Sequence, residues 1–364
     1  MTENKTAEKK AFAFAAINQV TETNIILPTE RDSNRGFVTW GDNNDYPEYL
    51  NNLYSNVATL HAIIEGTVDF ISGNAVNVDD IVWSQQVNDK GDTMTELIRL
   101  CGRDLLRYGG FAINVIRNKS GNVGGLYYIN LKRLRVSEDR KQFYFSKDWS
   151  KSYGRVKTTI YPAFDANSKD PSSIYFYSNN KDGIYPIPPY QAALRSCEIE
   201  KNVSEYHLNS LYNGFAGSYL INMNNGIPND EQKTEIEEYF NDKYSGYGNA
   251  ARVVFTFSPD KEHAPELIKL DTEDYGEKYK SMTENCKQNI FTSFRALPQL
   301  FGINLNTGFQ TQEYEEAFKL YNKTTVRPLQ NTIIQAISKI TGCTITIDPF
   351  SLNDPDIPFG DQNQ

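Results

Sequence analysis

From Tyr275 to Leu297 the residues Tyr275, Tyr279, Met282, Cys286, Ile290, Phe294 and Leu297 recur three or four positions apart, the spacing of one face of a single long helix. Pro298 and Gly302 close that run. A second helical stretch spans Gln191 to Tyr212, stops at Asn213-Gly214, and at 1.5 Å per residue is about 33 Å long. The two bracket an insert of about 58 residues, from Gly214 to Asp271. Such a pair, if antiparallel, forms a stalk with a small module at its tip. Both apolar faces are narrow and interrupted by Ser, Asn, Glu and Lys, too little surface to bury either helix inside one copy of the chain. Packing between subunits would supply the missing contact.

The remaining segments fall around this stalk. Residues 1–36 are polar and irregular, with an apolar patch at Ala11 to Ile17, and read as an arm. WGDNNDYPEYL at Trp40 to Leu50 is rich in turn residues, and Pro47 suits a first helical turn. Leu60, Ile63, Ile64, Val68 and Ile71 predict a helix ending at Gly73, and Thr93 to Tyr108 another ending at Gly109-Gly110. Between Phe111 and Ser178 the runs FAINVIR, GGLYYINL, FYFS and SIYFYS alternate in the manner of antiparallel strands. IYPIPPY at Ile184 to Tyr190 marks a boundary. Within the insert, Asn229 and Gln232 form a capping-box pair that opens a helix to about Lys243, and a strand follows to Phe257. A last helix from Thr311 carries Tyr314, Phe318, Tyr321, Thr325, Leu329, Ile333, Ile337 and Ile340, with Pro328 expected to kink it. CTITIDPF reads as one more strand.

The charge balance, 37 basic against 46 acidic residues for a net of -9, argues against a surface that grips nucleic acid nonspecifically. That total hides a segregation. Between Arg99 and Lys157 fourteen cations face four acids, so this stretch is +10 and the rest of the chain is -19. A chain so divided can carry one layer of each sign, although a solvated sheet face explains the cations equally well. No apolar run approaches the roughly 18 to 20 residues of a membrane helix, and the polar start MTENKTAEKK resembles no secretion signal.

Catalytic constellations are not evident. His61, His207 and His263 are scattered singly, and Cys101, Cys197, Cys286 and Cys343 lack the paired spacing of metal or redox motifs, which suits reduced thiols. No phosphate-cradling glycine loop occurs, since GNVGG at Gly121 to Gly125 sits between strands. Asp42, Asp45 and Glu48 could hold a hard cation or supply two carboxylates, but capping the helix that begins beside them is the favoured reading. Glu235, Glu237 and Glu238, like Glu313, Glu315 and Glu316, read as solvated helix faces. The sequence therefore points to no cofactor, no metal and no enzyme.

The order of WGDNNDYPEYL, a helix to ISGNAV, RYGGFAINVIRN, IPPYQAALRSCEIEKNVSEYHLNSLYNGF, IPNDEQKTEIEEYFNDKYSGYGNAARVVF, FRALPQLFGI and TGFQTQEYEEAFKLYNKTTVRPLQNTI resembles the portal (head–tail connector) proteins of tailed bacteriophages, in their compact long-tailed-phage and prophage form. The resemblance runs through most of the chain and rests on order and spacing, because no single piece carries a chemical signature. It implies an α+β portal fold. Residues 1–36 would be an N-terminal arm, 37–189 a mixed α/β wing, 190–213 and 272–297 the two stem helices, and 214–271 a small α/β clip. A tunnel-loop region would occupy 298–310, a kinked helix returning to the wing 311–341, and a C-terminal strand and tail 342–364, with the crown of larger portals reduced or absent.

The resemblance further implies a homo-oligomeric ring of about twelve copies at one capsid vertex of the virion, assembled in the bacterial host cytoplasm. Double-stranded viral DNA would pass through its channel during packaging and ejection. Partners would be the terminase large subunit, then a head–tail adaptor, with the major capsid and scaffold proteins around it and no membrane. Asn304, Asn306, Thr307, Phe309 and Gln310 would be the tunnel-loop residues. GINLNTGFQ contains no charge, which suits a duplex that must slide without breaking strong phosphate contacts at each step. Tyr239, Phe240, Tyr244 and Phe255 would supply clip contacts between subunits and the docking surface for terminase. Two other readings remain: another phage or prophage head–tail structural protein, and a carboxylate-dependent hydrolase using Asp42 or Asp45.

Overall fold

The computed structural model describes residues 25–149, 157–212, 219–223, 253–258, 275–302 and 311–350, with the short pieces 228–229, 231–232 and 234–235. In chain order the first elements are strands β1 (Glu30–Asp32) and β2 (Val38–Trp40), helices α1 (Tyr46–Asn56) and α2 (Ala58–Ser72), strand β3 (Ala75–Val78), and helices α3 (Ile81–Gln85) and α4 (Met94–Tyr108). Six strands follow: β4 (Gly110–Arg117), β5 (Val123–Ile129), β6 (Leu134–Val136), β7 (Gln142–Phe145), β8 (Thr159–Pro162) and β9 (Ser172–Ser178). Then come α5 (Leu194–Tyr212), β10 (Tyr219–Met223), β11 (Val253–Phe257), α6 (Tyr275–Ser293), α7 (Thr311–Tyr321), a π-helical turn at Asn322–Val326, α8 (Arg327–Thr341) and β12 (Ile345–Asp348).

The alternating region folds as two antiparallel sheets. One is β5-β4-β9, and the other is β1-β2-β6-β7-β8, which draws in two strands from outside the alternating region. β1 lies within the segment read as an arm and pairs with β2 from Glu30↔Trp40 to Asp32↔Val38. β12 closes against β3 in a separate antiparallel pair.

Local signals explain most helix ends. Thr93 and Glu96 form the reciprocal capping box of α4: the Thr93 amide donates to Glu96 Oε2 at 2.7 Å and the Glu96 amide to Thr93 Oγ1 at 3.2 Å. Gly109 ends that helix in the left-handed region, where an added Cβ would meet the Ile187 carbonyl oxygen at 2.0 Å. α6 ends at Ser293, four residues before the stripe does. There Arg295 adopts φ 53, the Ala296 amide donates to the Phe291 carbonyl at 3.0 Å and the Arg295 amide to the Thr292 carbonyl at 3.0 Å, the bonding of a Schellman cap.

The core is organised by aromatic residues from distant segments. Trp40 is fully buried and stacks on Tyr185 with ring centroids 4.6 Å apart and 6° between planes. Tyr185 donates its hydroxyl to the Val38 carbonyl and accepts the Val136 amide at 3.0 Å, tying β2 to β6. Tyr190 stacks on Phe294 at 5.5 Å and donates to the Arg107 carbonyl at 3.0 Å. IYPIPPY, read as a boundary, is therefore fixed into the core at both tyrosines.

The basic stretch is not a solvated sheet face along its whole length. Arg135 is only 1% exposed; it donates to the side chain and the carbonyl of Asn44 and to the carbonyls of Lys132 and Leu134. Arg103 makes a bidentate pair with Glu65 at 2.7 Å through both contacts, and Arg99 pairs with Asp69 at 2.6 Å. These strand and helix cations hold the layers together.

Asp104 is wholly buried in α4 and accepts the Leu131 amide at 3.0 Å. Burial pushes its carboxyl up to about 6, against the pull of Arg107 and the Leu131 amide. Because the folded value lies above that of a free carboxyl, the folded state retains a proton that the unfolded chain has released. Stability therefore falls as pH rises from about 4 to about 6, by about 3 kcal/mol at 1.36 kcal/mol per pH unit. Asp104→Asn should flatten this slope, which thermal unfolding midpoints between pH 4 and pH 7 will reveal.

Candidate functional site

α5 and α6 pair antiparallel. Near the base, Asn289 Nδ2 donates to Ser196 Oγ at 3.3 Å; farther out, Tyr206 and Tyr279 lie with ring centroids 5.4 Å apart. Contacts advance along one helix as they retreat along the other. At the base Leu194, Cys197, Ile290, Phe291 and Phe294 are buried in the main core. Toward the far end the apolar side chains emerge: Tyr206 is 53% exposed, Leu208 51% and Met282 37%. A single copy leaves this half of the pair uncovered, as the narrow stripes anticipated.

Between α6 and α7 lies the uncharged segment 303–310. Asn304, Asn306, Thr307, Phe309 and Gln310 are outside the described residues, but the structures on either side are defined. A 3₁₀ turn at Pro298–Phe301 precedes the segment, and Gly302 caps it at φ 75. Phe301 lies 6.1 Å from Phe70 of α2 and 5.9 Å from Tyr321, ring centroid to centroid. Phe318 on the other side lies 5.2 Å from the same Phe70. One aromatic side chain of α2 thus anchors both flanks of the segment. Gly66, one helical turn before Phe70, permits the approach: a Cβ there would stand 2.8 Å and 2.9 Å from two ring atoms of Phe301.

The helix after the segment is not continuous. At Asn322–Val326 it widens into a π turn, with the Arg327 amide donating to the Asn322 carbonyl. Pro328 follows within the first turn of α8, where its missing amide and its ring disfavour regular bonding to the residue four before it. The wide turn shifts the buried face. Val326 and Gln330 are buried, whereas Thr325 and Leu329, assigned to the core stripe from sequence, are only partly so. Tyr321 bonds through its hydroxyl to Thr67 Oγ1 at 2.9 Å, and burial pushes that phenol up to about 12. Gln330 Nε2 donates to the Ile71 carbonyl at 3.0 Å at the end of α2. At the opposite end of α2, Glu200 of α5 accepts the Thr59 amide at 3.2 Å and its hydroxyl at 2.9 Å. Phe301, Gly66, Glu200 and Gln330 were not singled out from sequence, and Phe318 only as one residue of an apolar stripe, because long-range partners give them their meaning.

In the insert, Tyr239, Phe240 and Tyr244 are outside the described residues. Phe255 belongs to β11, which pairs parallel to β10 with Ile221↔Phe255 in register. β10 went unrecognised as a strand in the sequence. The Asn229–Gln232 capping pair is present, with the Gln232 amide donating to Asn229 Oδ1 at 2.8 Å and the Asn229 amide to Gln232 Oε1 at 3.2 Å.

The acidic cluster requires correction. Asp45 occupies the N-cap position of α1 without a side-chain capping bond, Asp42 pairs with Arg31 at 2.9 Å, and Glu48 pairs with Lys132 at 3.0 Å. Asp42 and Glu48 thus serve separate ion pairs, and Asp45 holds the N-cap position without its carboxylate capping the helix. Among the described residues no three His, Cys, Asp or Glu side chains gather as metal ligands, and no helix is long and apolar enough to cross a membrane.

The family model described as phage portal protein matches residues 83–347. The neck of a native gene transfer agent particle, computed with C12 symmetry, matches at 17% identity and TM-score 0.51, covering 84% of each chain. The neck of the empty particle, computed with C6 symmetry, matches at 16% identity and TM-score 0.52, covering 85% of each. A crystal structure of an HK97-family phage portal protein from Corynebacterium diphtheriae matches at 11% identity and TM-score 0.48, covering 82% of this chain and 94% of that one. No curated protein sequence matches.

The aromatic mount is directly testable. Gly66→Ala should push Phe301 off Phe70 and cost about 1 to 3 kcal/mol, the usual range for overpacking a filled site. Thermal unfolding should show the lowered midpoint, and Phe301→Leu in the same chain should recover part of it.

Proposed function

This chain belongs to the phage portal protein family, and from that premise we propose that it assembles into a closed ring of about twelve copies whose central channel carries double-stranded viral DNA. As a portal it is the head–tail connector, a structural component and not an enzyme. The observation that carries the ring is the exposed outer half of the α5–α6 pair, where Tyr206, Leu208 and Met282 need a neighbour that one copy does not provide. A cyclic arrangement covers the same face on every subunit.

Under this reading α5 and α6 are the stem, residues 214–271 the clip, and the aromatic mount on α2 holds the tunnel loop. Asn304, Asn306, Thr307 and Gln310 offer the passing duplex weak, exchangeable hydrogen bonds, and Phe309 braces the loop against a neighbour. A lining without cations keeps the duplex mobile, since each lysine or arginine phosphate contact adds to the cost of sliding. Tyr239, Phe240, Tyr244 and Phe255 supply clip packing between subunits and the surface met by the terminase large subunit and afterwards by a head–tail adaptor. The wing meets major capsid and scaffold proteins during assembly in the host cytoplasm, and the ring then remains in the virion.

Negative-stain images of the purified protein should show closed rings with a duplex-sized hole; a monomer at all concentrations and salts would overturn the proposal. Deleting Asn304 to Thr307 should leave rings intact and reduce DNA packaged or retained per particle. Replacing Tyr244 and Phe255 with serine should weaken rings or motor docking, and unchanged assembly with unchanged packaging would remove the clip aromatics from the mechanism.

A further inference from the structure

Seven of the fourteen cations in the basic stretch, Arg135 among them, are committed within the chain. Arg99, Arg103 and Lys132 pair with Asp69, Glu65 and Glu48. Arg107 donates to Asn51, Arg117 to the carbonyls of Gly121 and Asp165, and Arg140 to the carbonyl of Gly183. Lys119, Arg133, Lys141, Lys147 and Lys157 differ: all five are exposed and none is in an ion pair among the described residues. Strand register gathers Arg133, Lys147 and Lys157. Leu134 of β6 faces Phe145 of β7, which faces Thr159 of β8, so the three cations flank adjacent strands at the same end of one sheet. The Ser146 amide donating to the Arg133 carbonyl at 3.0 Å extends that alignment, and Trp149 Nε1 donates to the same oxygen at 2.9 Å, fixing the Arg133 backbone.

Beside this end opens a groove of about 360 Å³ lined by Tyr128, Ile129, Asn130, Arg133, Phe145 and Tyr161. Its walls are mainly aromatic and aliphatic, with Asn130 as a polar member and Arg133 as the cation among these lining residues. We propose that this groove and its three cations form a docking site for an acidic segment of another head protein, bearing one aromatic or aliphatic side chain that enters the groove while its carboxylates meet Arg133, Lys147 and Lys157. The inference rests on the portal reading only in placing the partner in the phage head.

A nucleic-acid duplex fits less well. A duplex presents phosphates but no apolar side chain, and filling the groove with a base would require unstacking it. A foreign acidic segment supplies both the missing charge and the missing anchor.

The test is fluorescence anisotropy on the purified full chain with three labelled probes: a decapeptide of Asp and Glu around one central Phe, the same peptide with Ala for Phe, and a 20-base-pair duplex. The Phe peptide should bind and the Ala peptide should bind at least tenfold more weakly. Replacing Arg133, Lys147 and Lys157 with serine should weaken the Phe peptide at least tenfold. Tyr161→Ala should erase the difference between the two peptides, and the surface serine variant gives a readout even if the Tyr161 variant folds poorly. Equal binding of both peptides, or a duplex bound more tightly than the Phe peptide and sensitive to the same serine replacements, would overturn the proposal. So would loss of rings in the serine variant, which would assign the site to a second copy. Ring formation is read separately by microscopy, so failure of the portal reading and failure of this site are distinguishable.

Discussion

Helix α2 cannot satisfy its own ends. Its N-cap residue is Val57, which has no capping oxygen, and its last carbonyls lie against packed protein rather than water. Glu200 of α5 supplies the acceptor at one end, and Gln330 of α8 supplies a donor at the other. Between them Thr67 bonds to Tyr321 and Phe70 receives both flanks of the loop segment. The central helix is complete only when α5 and α8 are in place, so elements that border the 214–271 insert and follow the uncharged segment are also the ones that finish the core.

Helices with local signals were legible in the sequence. Pro47, Gly73, and Thr93 with Glu96 mark helix ends through bonds or backbone conformations made within a few residues. Interactions between distant segments were not legible. Nothing near Glu200 distinguishes a cap supplied to another helix from one more acid on a solvated face. Tyr185 sits in a proline-rich stretch whose local reading is a boundary, yet its ring completes the Trp40 stack. The last helix shows the same limit from another side. Four successive steps of four residues, from Tyr321 to Ile337, would carry an ideal α-helix about 160° around its axis. A stripe so spaced can stay on one face only if the helix changes winding, and the π turn replaces Thr325 with Val326 at the core.

The candidate site divides along the same line. The stalk was readable because its narrow apolar faces are a property of each helix alone, and Tyr206, Leu208 and Met282 emerge where those faces run out of core. The charge segregation was readable as a sum but not as a location. Arg135 and Arg133 lie two residues apart in one stretch, yet the first is sealed against Asn44 and the second is open to solvent. Only pairing and burial separate cations that brace the fold from cations available to a partner.

Both flanks of the uncharged segment rest on Phe70, so the chain leaves and returns at nearly the same place. For a closed segment the entropy of joining its ends grows only with the logarithm of its length, about 0.6 kcal/mol per doubling. Residues added to or removed from its middle therefore disturb the fold little, provided Phe301 and Phe318 keep their seats. The reach and chemistry of the segment can diverge among related chains while the scaffold that holds it stays unchanged.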